Sequence, residues 1–264
     1  MAKKLGIVLG SGGALGFAHI GFMQAMDENG IRPDVMTGCS MGAVVGACYL
    51  SGMTPEEMKQ AAFRLKNADI IDFTISLFSN KALLKTNKMH SLIKRYVKKT
   101  TFEELPIPFA TVAADLVTGK LITFTEGDLR LAVKASASIP CVFTPVEKDG
   151  MILVDGGILS RIPVAQARDL GAEKVVAVDV LGALPPYTEI KNIVNVALRA
   201  VDVSDHRPVY MWKPKDTPDL SVNPDFKNLS QYKVEEQKFI YEQGYLSGLA
   251  AVPEIKRMIE EEEE

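Results

Sequence analysis

Gly38-Cys39-Ser40-Met41-Gly42 fences a serine between two glycines, the pattern of a nucleophile on a sharp strand-to-helix turn. A serine hydroxyl attacks an acyl carbon only with a base to take its proton and with donors for the developing oxyanion. "GSGGALG", Gly10 to Gly16, is a source of donors, because glycines let backbone N–H groups turn toward a ligand. Asp155-Gly156-Gly157 offers a proton acceptor. Each stretch alone is weak, since small residues cluster in tight turns and an aspartate before glycines is ordinary turn chemistry. Their conjunction in one chain points to acyl transfer through a serine ester.

Such residues need strand ends to hold them, and the chain supplies these in order. Lys4 to Leu9 is a short apolar run ending in glycines, a buried strand. Phe17, Ile20, Gly21, Met23 and Met26 recur at helical spacing and predict a helix from Phe17 to Asn29. "DVMTG", from Asp34, is a second strand leading into Ser40, and "GAVVGACYLSG" a second helix. This β-loop-α-β-loop-α order is the signature of a parallel sheet covered by helices. Residues 54–103 are mostly helical, with Thr54, Pro55 and Glu57 marking a helix start. "PFATVAADL" and "LITFT" form strands around a turn at Gly119, and "DLRLAVKASAS" is a helix that Pro140 ends. A hairpin around Asp149-Gly150 delivers Asp155 to its glycine pair. "IPVAQARDLGAEKVVAVDV" gives a helix, a glycine stop and a strand. Residues 182–232 carry irregular prolines and asparagines and wrap the sheet, and one or two helices and an acidic tail close the chain.

Competing interpretations fail on particular residues. Val35 to Pro55 carries no charge and has the length of a membrane span, which needs about 20 predominantly apolar residues. Gly38, Gly42, Gly46 and Gly52, with Thr37, Ser40 and Ser51, dilute it. The G-x-x-x-G spacing imitates a transmembrane dimerisation face but equally lets a helix lie close on a sheet. The first glycine loop resembles a dinucleotide fingerprint, yet the second strand ends in Ser40, not in a ribose-binding acid, and Asp34 lies at its wrong end. "MAKKLGIVLGSGG" imitates a signal peptide but is too glycine-rich for a good hydrophobic helix.

The chain has 264 residues, 47% of them apolar and 24% charged, with a net charge of −3. That composition suits a globular protein with a substantial core and gives no global attraction to nucleic acid. Cys39, Cys48 and Cys141 form no CxxC pair, which fits a reduced, cytoplasmic setting. Cys39 is expected to be a small packing residue. His19, His90 and His206 are scattered, and no metal-ligand spacing is present.

The three glycine-bearing motifs together resemble the patatin-like phospholipase family. The family's G-G-G-x-[RK]-G element matches with Ser11 at the first glycine, followed by Gly12, Gly13, Ala14, Leu15 and Gly16. The elbow matches at Gly38, Ser40 and Gly42, and the D-G-[GA] element at Asp155, Gly156 and Gly157. The likeness runs from about Leu5 to Val180. It implies a three-layer α/β/α sandwich with a mostly parallel central sheet, spanning residues 1–264 as a single domain. It also implies a Ser–Asp dyad: Ser40 attacks, Asp155 takes the proton, and N–H groups of Gly12, Gly13 and Ala14 hold the oxyanion, with no cofactor. Leu15 departs from the family's arginine or lysine. Ser40, Asp155 and His206 also stand in the chain order of an α/β-hydrolase triad. Only one strand precedes the elbow strand here, however, and His206 is expected to be a surface or packing histidine.

From Phe73 through Phe102 every charged side chain is basic: Lys81, Lys85, Lys88, Lys94, Arg95, Lys98 and Lys99. An amphipathic helix pair with a solvated lysine face explains this. A cap that meets anionic lipid headgroups is the functional alternative. The expectation is therefore a cytoplasmic or peripherally membrane-associated esterase or lipase acting on acyl esters or phospholipids. A catalytically weak lipid-binding module with the same fold is the alternative from another class.

Overall fold

The computed structural model describes residues 2–66, 87–183, 190, 193–206, 213–227, 229, 231 and 235–260. The first part of the basic run, including Lys81 and Lys85, lies outside the described residues. In chain order the strands are β1 (Leu5–Leu9), β2 (Val35–Gly38), β3 (Phe109–Asp115), β4 (Leu121–Phe124), β5 (Val146–Lys148), β6 (Met151–Asp155), β7 (Lys174–Val178) and β8 (Leu220–Val222). The helices are α1 (Phe17–Glu28), α2 (Met41–Leu50), α3 (Pro55–Arg64), α4 (Asn87–Tyr96), α5 (Leu129–Ser136), α6 (Gly157–Ser160), α7 (Val164–Asp169), α8 (Ile193–Asp205) and α9 (Gln237–Glu260).

All eight strands form one mixed sheet in the order β5-β6-β3-β2-β1-β7-β8, with β4 also paired to β3. β3, β2, β1, β7 and β8 run parallel, as β-α-β crossovers require. β1, β2 and β3 are buried on both faces, whereas the edge strand β8 leaves Ser221 exposed. Leu5, Ile7 and Leu9 of β1 enter the larger core with α1, α2 and α9, whereas Val8 packs with Val164 and Ala167 of α7 on the other face. This alternation makes the three layers. The uncharged stretch from Val35 is thus a strand and a ten-residue helix, and among the described residues no helix is long and apolar enough to cross a membrane.

The hairpins form where expected. Asp149 and Gly150 both adopt positive φ (50° and 79°), the two-residue turn that matches strand twist. Thr54 and Glu57 make a reciprocal capping box at the start of α3. Two features of residues 182–232 go beyond an irregular wrapping segment. α8 is rich in β-branched residues and β8 has only three residues, so neither is strongly marked by local propensity. β8 exists through pairing with β7, where Leu220, Ser221 and Val222 face Val176, Ala177 and Val178. The chain closes with the single helix α9, which lies close on α1. A Cβ at Gly244 would stand 2.0 Å from the Ala18 carbonyl oxygen.

Pairing on β3 decides where the motifs meet. Thr111 pairs with both Gly38 of β2 and Phe124 of β4, and Ala113 with both Asp155 of β6 and Ile122 of β4. A residue has one partner per edge, so β4 occupies one edge of β3 and both β2 and β6 occupy the other. β2 runs parallel to β3 and β6 antiparallel, and their C-terminal ends therefore converge head-on. Ser40 follows one end, and Asp155 is the other.

Candidate active site

Ser40 caps the N-terminus of α2 with φ 54° and ψ −122°, an unusual conformation for a residue with a side chain. Neighbouring bonds fix that turn. Cys39 N–H donates to the Leu9 carbonyl at 3.0 Å, and Ser40 N–H donates to Ser136 Oγ of α5 at 2.9 Å. Thr111 Oγ1 donates to the Gly38 carbonyl at 3.0 Å. Glycine is required at position 42, because a Cβ there would lie 2.0 Å from the Leu9 carbonyl oxygen. The helix thereby sits directly on the strand, and the positive end of α2 points toward Ser40.

Ser40 Oγ donates to Asp155 Oδ2 at 2.5 Å. Asp155 Oδ1 accepts from the Gly157 N–H at 2.8 Å and from Cys39 Sγ at 3.7 Å. Burial pushes the Asp155 carboxyl up to about 6, against the opposing pull of the bonds from Ser40, Gly157 and Cys39. The structure thus joins two of the sequence-identified residues, separated by 115 positions, in one buried hydrogen bond. His206 does not share it. Its Nδ1–H donates to the Asp202 carbonyl at 2.7 Å, one turn back in the chain.

The glycine loop lies beside this pair and is anchored by its backbone. Gly10 N–H donates to the Val178 carbonyl at 3.0 Å, and Ser11 N–H to the Arg161 carbonyl at 2.9 Å. His19 Nε2–H donates to the Gly10 carbonyl at 2.8 Å. Burial pushes His19 down to about 4, so it is neutral near pH 7. Leu15 is buried in the larger core. Of the three expected oxyanion donors, Ala14 is already engaged: its N–H donates to the Gln231 carbonyl at 2.8 Å. Gly12 and Gly13 N–H make none of these anchoring bonds. Gln231 Nε2 in turn donates to Asp202 Oδ1 at 2.8 Å. With Ile139, Ile158 and Val201, these two residues close over the site and leave about 20 Å³ of space beside Ser40 and Asp155.

Four contributors were not identified from the sequence. Cys39 does more than pack, since its Sγ reaches Asp155. Ser136 belongs to a small-residue run, "KASAS", whose only sequence signal is room for close approach. His19 looks like any buried helical residue. Gln231 carries no signal, because the bond it makes to the loop uses its backbone oxygen. Among the described residues, no group of three or more His, Cys, Asp or Glu could hold a metal ion.

Known proteins resemble this chain in sequence and in fold. A family model described as patatin-like phospholipase matches residues 7–168. An uncharacterized NTE family protein of Mycobacterium tuberculosis is 38% identical over 182 residues, 69% of this chain and 50% of the relative. Patatin-like phospholipase domain-containing protein 6 of Mus musculus is 30% identical over 189 residues, 67% of this chain and 14% of the relative. The chain thus spans half the length of the first relative and a smaller share of the second. In fold it is similar to VipD from Legionella pneumophila, with a TM-score of 0.58 and 14% identity over 96% of this chain and 67% of that one. It is also similar to a chain of the ExoU–SpcU complex from Pseudomonas aeruginosa, with a TM-score of 0.52 and 15% identity over 99% of this chain and 52% of that one. With its family match covering more than half of its length, this chain belongs to the patatin-like phospholipase family.

Proposed function

We propose that the chain is a serine acyl hydrolase of lipid esters, an esterase or lipase with phospholipase A-like substrates, in which Ser40 is the nucleophile and Asp155 the base. The observation that carries this reading is the buried 2.5 Å hydrogen bond from Ser40 Oγ to Asp155 Oδ2. Ser40 Oγ attacks the ester carbonyl carbon as its proton passes to Asp155. The tetrahedral oxyanion accepts bonds from Gly12 and Gly13 N–H, and from Ala14 N–H once the Gln231 carbonyl has withdrawn. Collapse breaks the bond to the alcohol, which leaves with the proton held by Asp155. Water, deprotonated by Asp155, then attacks the Ser40 ester, and as the bond to Ser40 Oγ breaks the proton on Asp155 returns to that oxygen and the acid is released. In this reading residues 1–264 work as a single domain, with 54–103 as its cap.

The closed site favours one second reading, a lipid-binding module with little turnover, because the Gln231 carbonyl occupies an oxyanion donor and about 20 Å³ remains beside Ser40. Fluorophosphonate labelling, located by peptide mass, separates the two. Hydrolase action requires adduct on Ser40 and loss of p-nitrophenyl ester turnover in folded Ser40→Ala. Unchanged turnover in that variant removes Ser40 from the mechanism, and lipid binding without adduct supports the second reading.

Peripheral membrane contact belongs to the same proposal. Lys94, Arg95 and Lys98 are exposed at the C-terminal end of α4 and just beyond it. Each basic group near an anionic surface contributes about 1 kcal/mol. Flotation with anionic vesicles should exceed flotation with neutral ones and weaken with salt, and charge reversal at these three positions should remove the difference. Indifference to lipid charge leaves a solvated helix face.

A further inference from the structure

We propose that the acyl chain of the substrate lies in an apolar channel that begins beside Ser40 and runs between α1, α2, α3 and α4. The proposal rests on Ser40 as nucleophile and assigns the place of the substrate's tail. A cavity of about 80 Å³ sits among these four helices. Apart from Cys48 and Tyr96, every residue in its wall is hydrocarbon or thioether. An apolar space of this kind accepts apolar ligands.

Its position relative to the site is set by two helix starts. Phe17, the first residue of α1, directly follows the glycine loop, and Met41, the first residue of α2, directly follows Ser40. Both line the cavity. Met41 also lies against the loop itself, since a Cβ on Gly16 would be 2.3 Å from Met41 Cγ. The Met41 side chain thus stands at the boundary between the reacting groups and the apolar space. The cavity and the space beside Ser40 share no lining residue, so a chain attached to the carbonyl carbon at Ser40 reaches hydrocarbon only when the Met41 side chain moves aside.

The far end provides for longer chains. A larger groove of about 650 Å³ between α3 and α4 shares Met53, Ala61, Leu65, Leu92 and Tyr96 with the cavity, so the two spaces adjoin. Met41, Met53, Met58 and Met89 all line the inner space, and methionine walls repack around ligands of different length. The cavity alone has about the volume of three water molecules, at roughly 30 Å³ each. Short tails therefore fill it, and longer ones pass Ala61 into the groove, where Glu57, Arg64, Lys88 and Arg95 end the apolar wall.

The test is a series of alkyl fluorophosphonates from ethyl to dodecyl, read as the rate of Ser40 labelling, with sodium decanoate as a separate non-reactive probe. Each methylene that enters the channel should raise the labelling rate by about four-fold until the tail leaves the apolar wall. Ala61→Trp, at the junction, should slow long-chain labelling far more than ethyl labelling, so that the gain with chain length is lost. Met58→Ala should extend the gain to longer chains, and it serves if the tryptophan variant does not fold. In Ser40→Ala, decanoate should still raise the melting temperature, and adding Ala61→Trp should abolish that rise. Labelling of Ser40 that ignores chain length, or a long-chain gain that survives in a folded Ala61→Trp and is unmoved by Met58→Ala, overturns the channel while leaving the hydrolase reading intact. Absence of labelling at every length overturns the hydrolase reading, and the decanoate shift then decides the channel alone.

Discussion

Gly38 and Asp155 lie on one edge of β3, opposite Thr111 and Ala113, so the ends of β2 and β6 face each other across a two-residue step. That register brings together groups 115 positions apart. It needs an antiparallel hairpin added to a parallel sheet, because only a strand of reversed direction can meet the end of β2 on the same edge. Asp155 thus arrives on a strand end while Ser40 sits on the turn beyond the other strand end.

The first expectation concerns pH. In the proposed mechanism Asp155 must be ionised to accept the Ser40 proton, and burial holds its carboxyl up at about 6. kcat/KM for a neutral ester should therefore fall below pH 6 and level off above it. Cys39→Ala removes a donor that favours the carboxylate, so the acid limb should move to higher pH. His206→Ala should leave the limb in place. A limb unmoved by Cys39→Ala but abolished by the histidine substitution would assign the base to His206.

The same carboxyl makes a prediction about stability. Asp155 takes its proton at about 6 when folded and near 3.8 when unfolded. Between these values the folded state holds more protons, so stability falls as pH rises through the window. The ionised form then costs about 3 kcal/mol at pH 7. His19 has the opposite slope: pushed from 6.5 down to about 4, it lets the unfolded state take the proton first, and stability falls as pH drops from 6.5 to 4. The two contributions oppose each other between pH 4 and 6. Asp155→Asn removes one of them. It should raise the melting temperature at pH 7 by several degrees, and its stability should decline more steeply than the parent's from pH 6 to 4. Thermal scans across that range decide it, and equal melting temperatures at pH 7 contradict the burial cost.

What the sequence made legible follows from how local each signal is. The glycines at 38, 42 and 156 are demanded by type, because a Cβ at each would meet the backbone of Ala43, Leu9 and Val112, and the run into Ser40 is a local pattern. The hairpin at Asp149-Gly150 is equally local, and it correctly brings Asp155 to a strand end. The partners that complete the site are not local. Ser136 reaches Ser40 from 96 positions away through one hydroxyl. The Gln231 contact to Ala14 uses a carbonyl that every residue possesses. β8 is written in three residues and exists through its neighbour β7. Pattern reading finds groups whose type is demanded, and it misses groups whose position alone matters.

Ser136 should prove a positioning residue. Its Oγ accepts the Ser40 N–H inside the core, and both residues are buried. Ser136→Ala leaves that N–H without its acceptor, which costs about 1–3 kcal/mol. The positive φ of Ser40 then loses one of its restraints. The expected result is a drop in kcat of roughly ten-fold or more with KM little changed, together with a lower melting temperature. Ser136→Cys, which keeps a weak acceptor, should recover part of the rate. A variant that loses stability but keeps full kcat would give Ser136 a packing role alone.

The closure over the glycine loop makes the last prediction. The Gln231 carbonyl takes the Ala14 N–H, and the Gln231 amide is itself held by Asp202 on α8. In the proposed mechanism an oxyanion at Ser40 and the Gln231 carbonyl compete for one donor, so turnover would require the Gln231 carbonyl to leave Ala14. Asp202→Ala removes the hydrogen bond that holds Gln231 in place without touching Ser40, Asp155 or the loop. Losing one such bond shifts the closed-to-open balance by about 0.5–1.5 kcal/mol, or roughly two- to twelve-fold. Fluorophosphonate labelling of Ser40 should accelerate by that factor, and hydrogen exchange at Ala14 should quicken with it. The two readouts belong together: faster exchange at Ala14 with unchanged labelling would mean that the Gln231 carbonyl leaves before the slow step, and unchanged exchange would mean that Asp202 does not hold the cover at all.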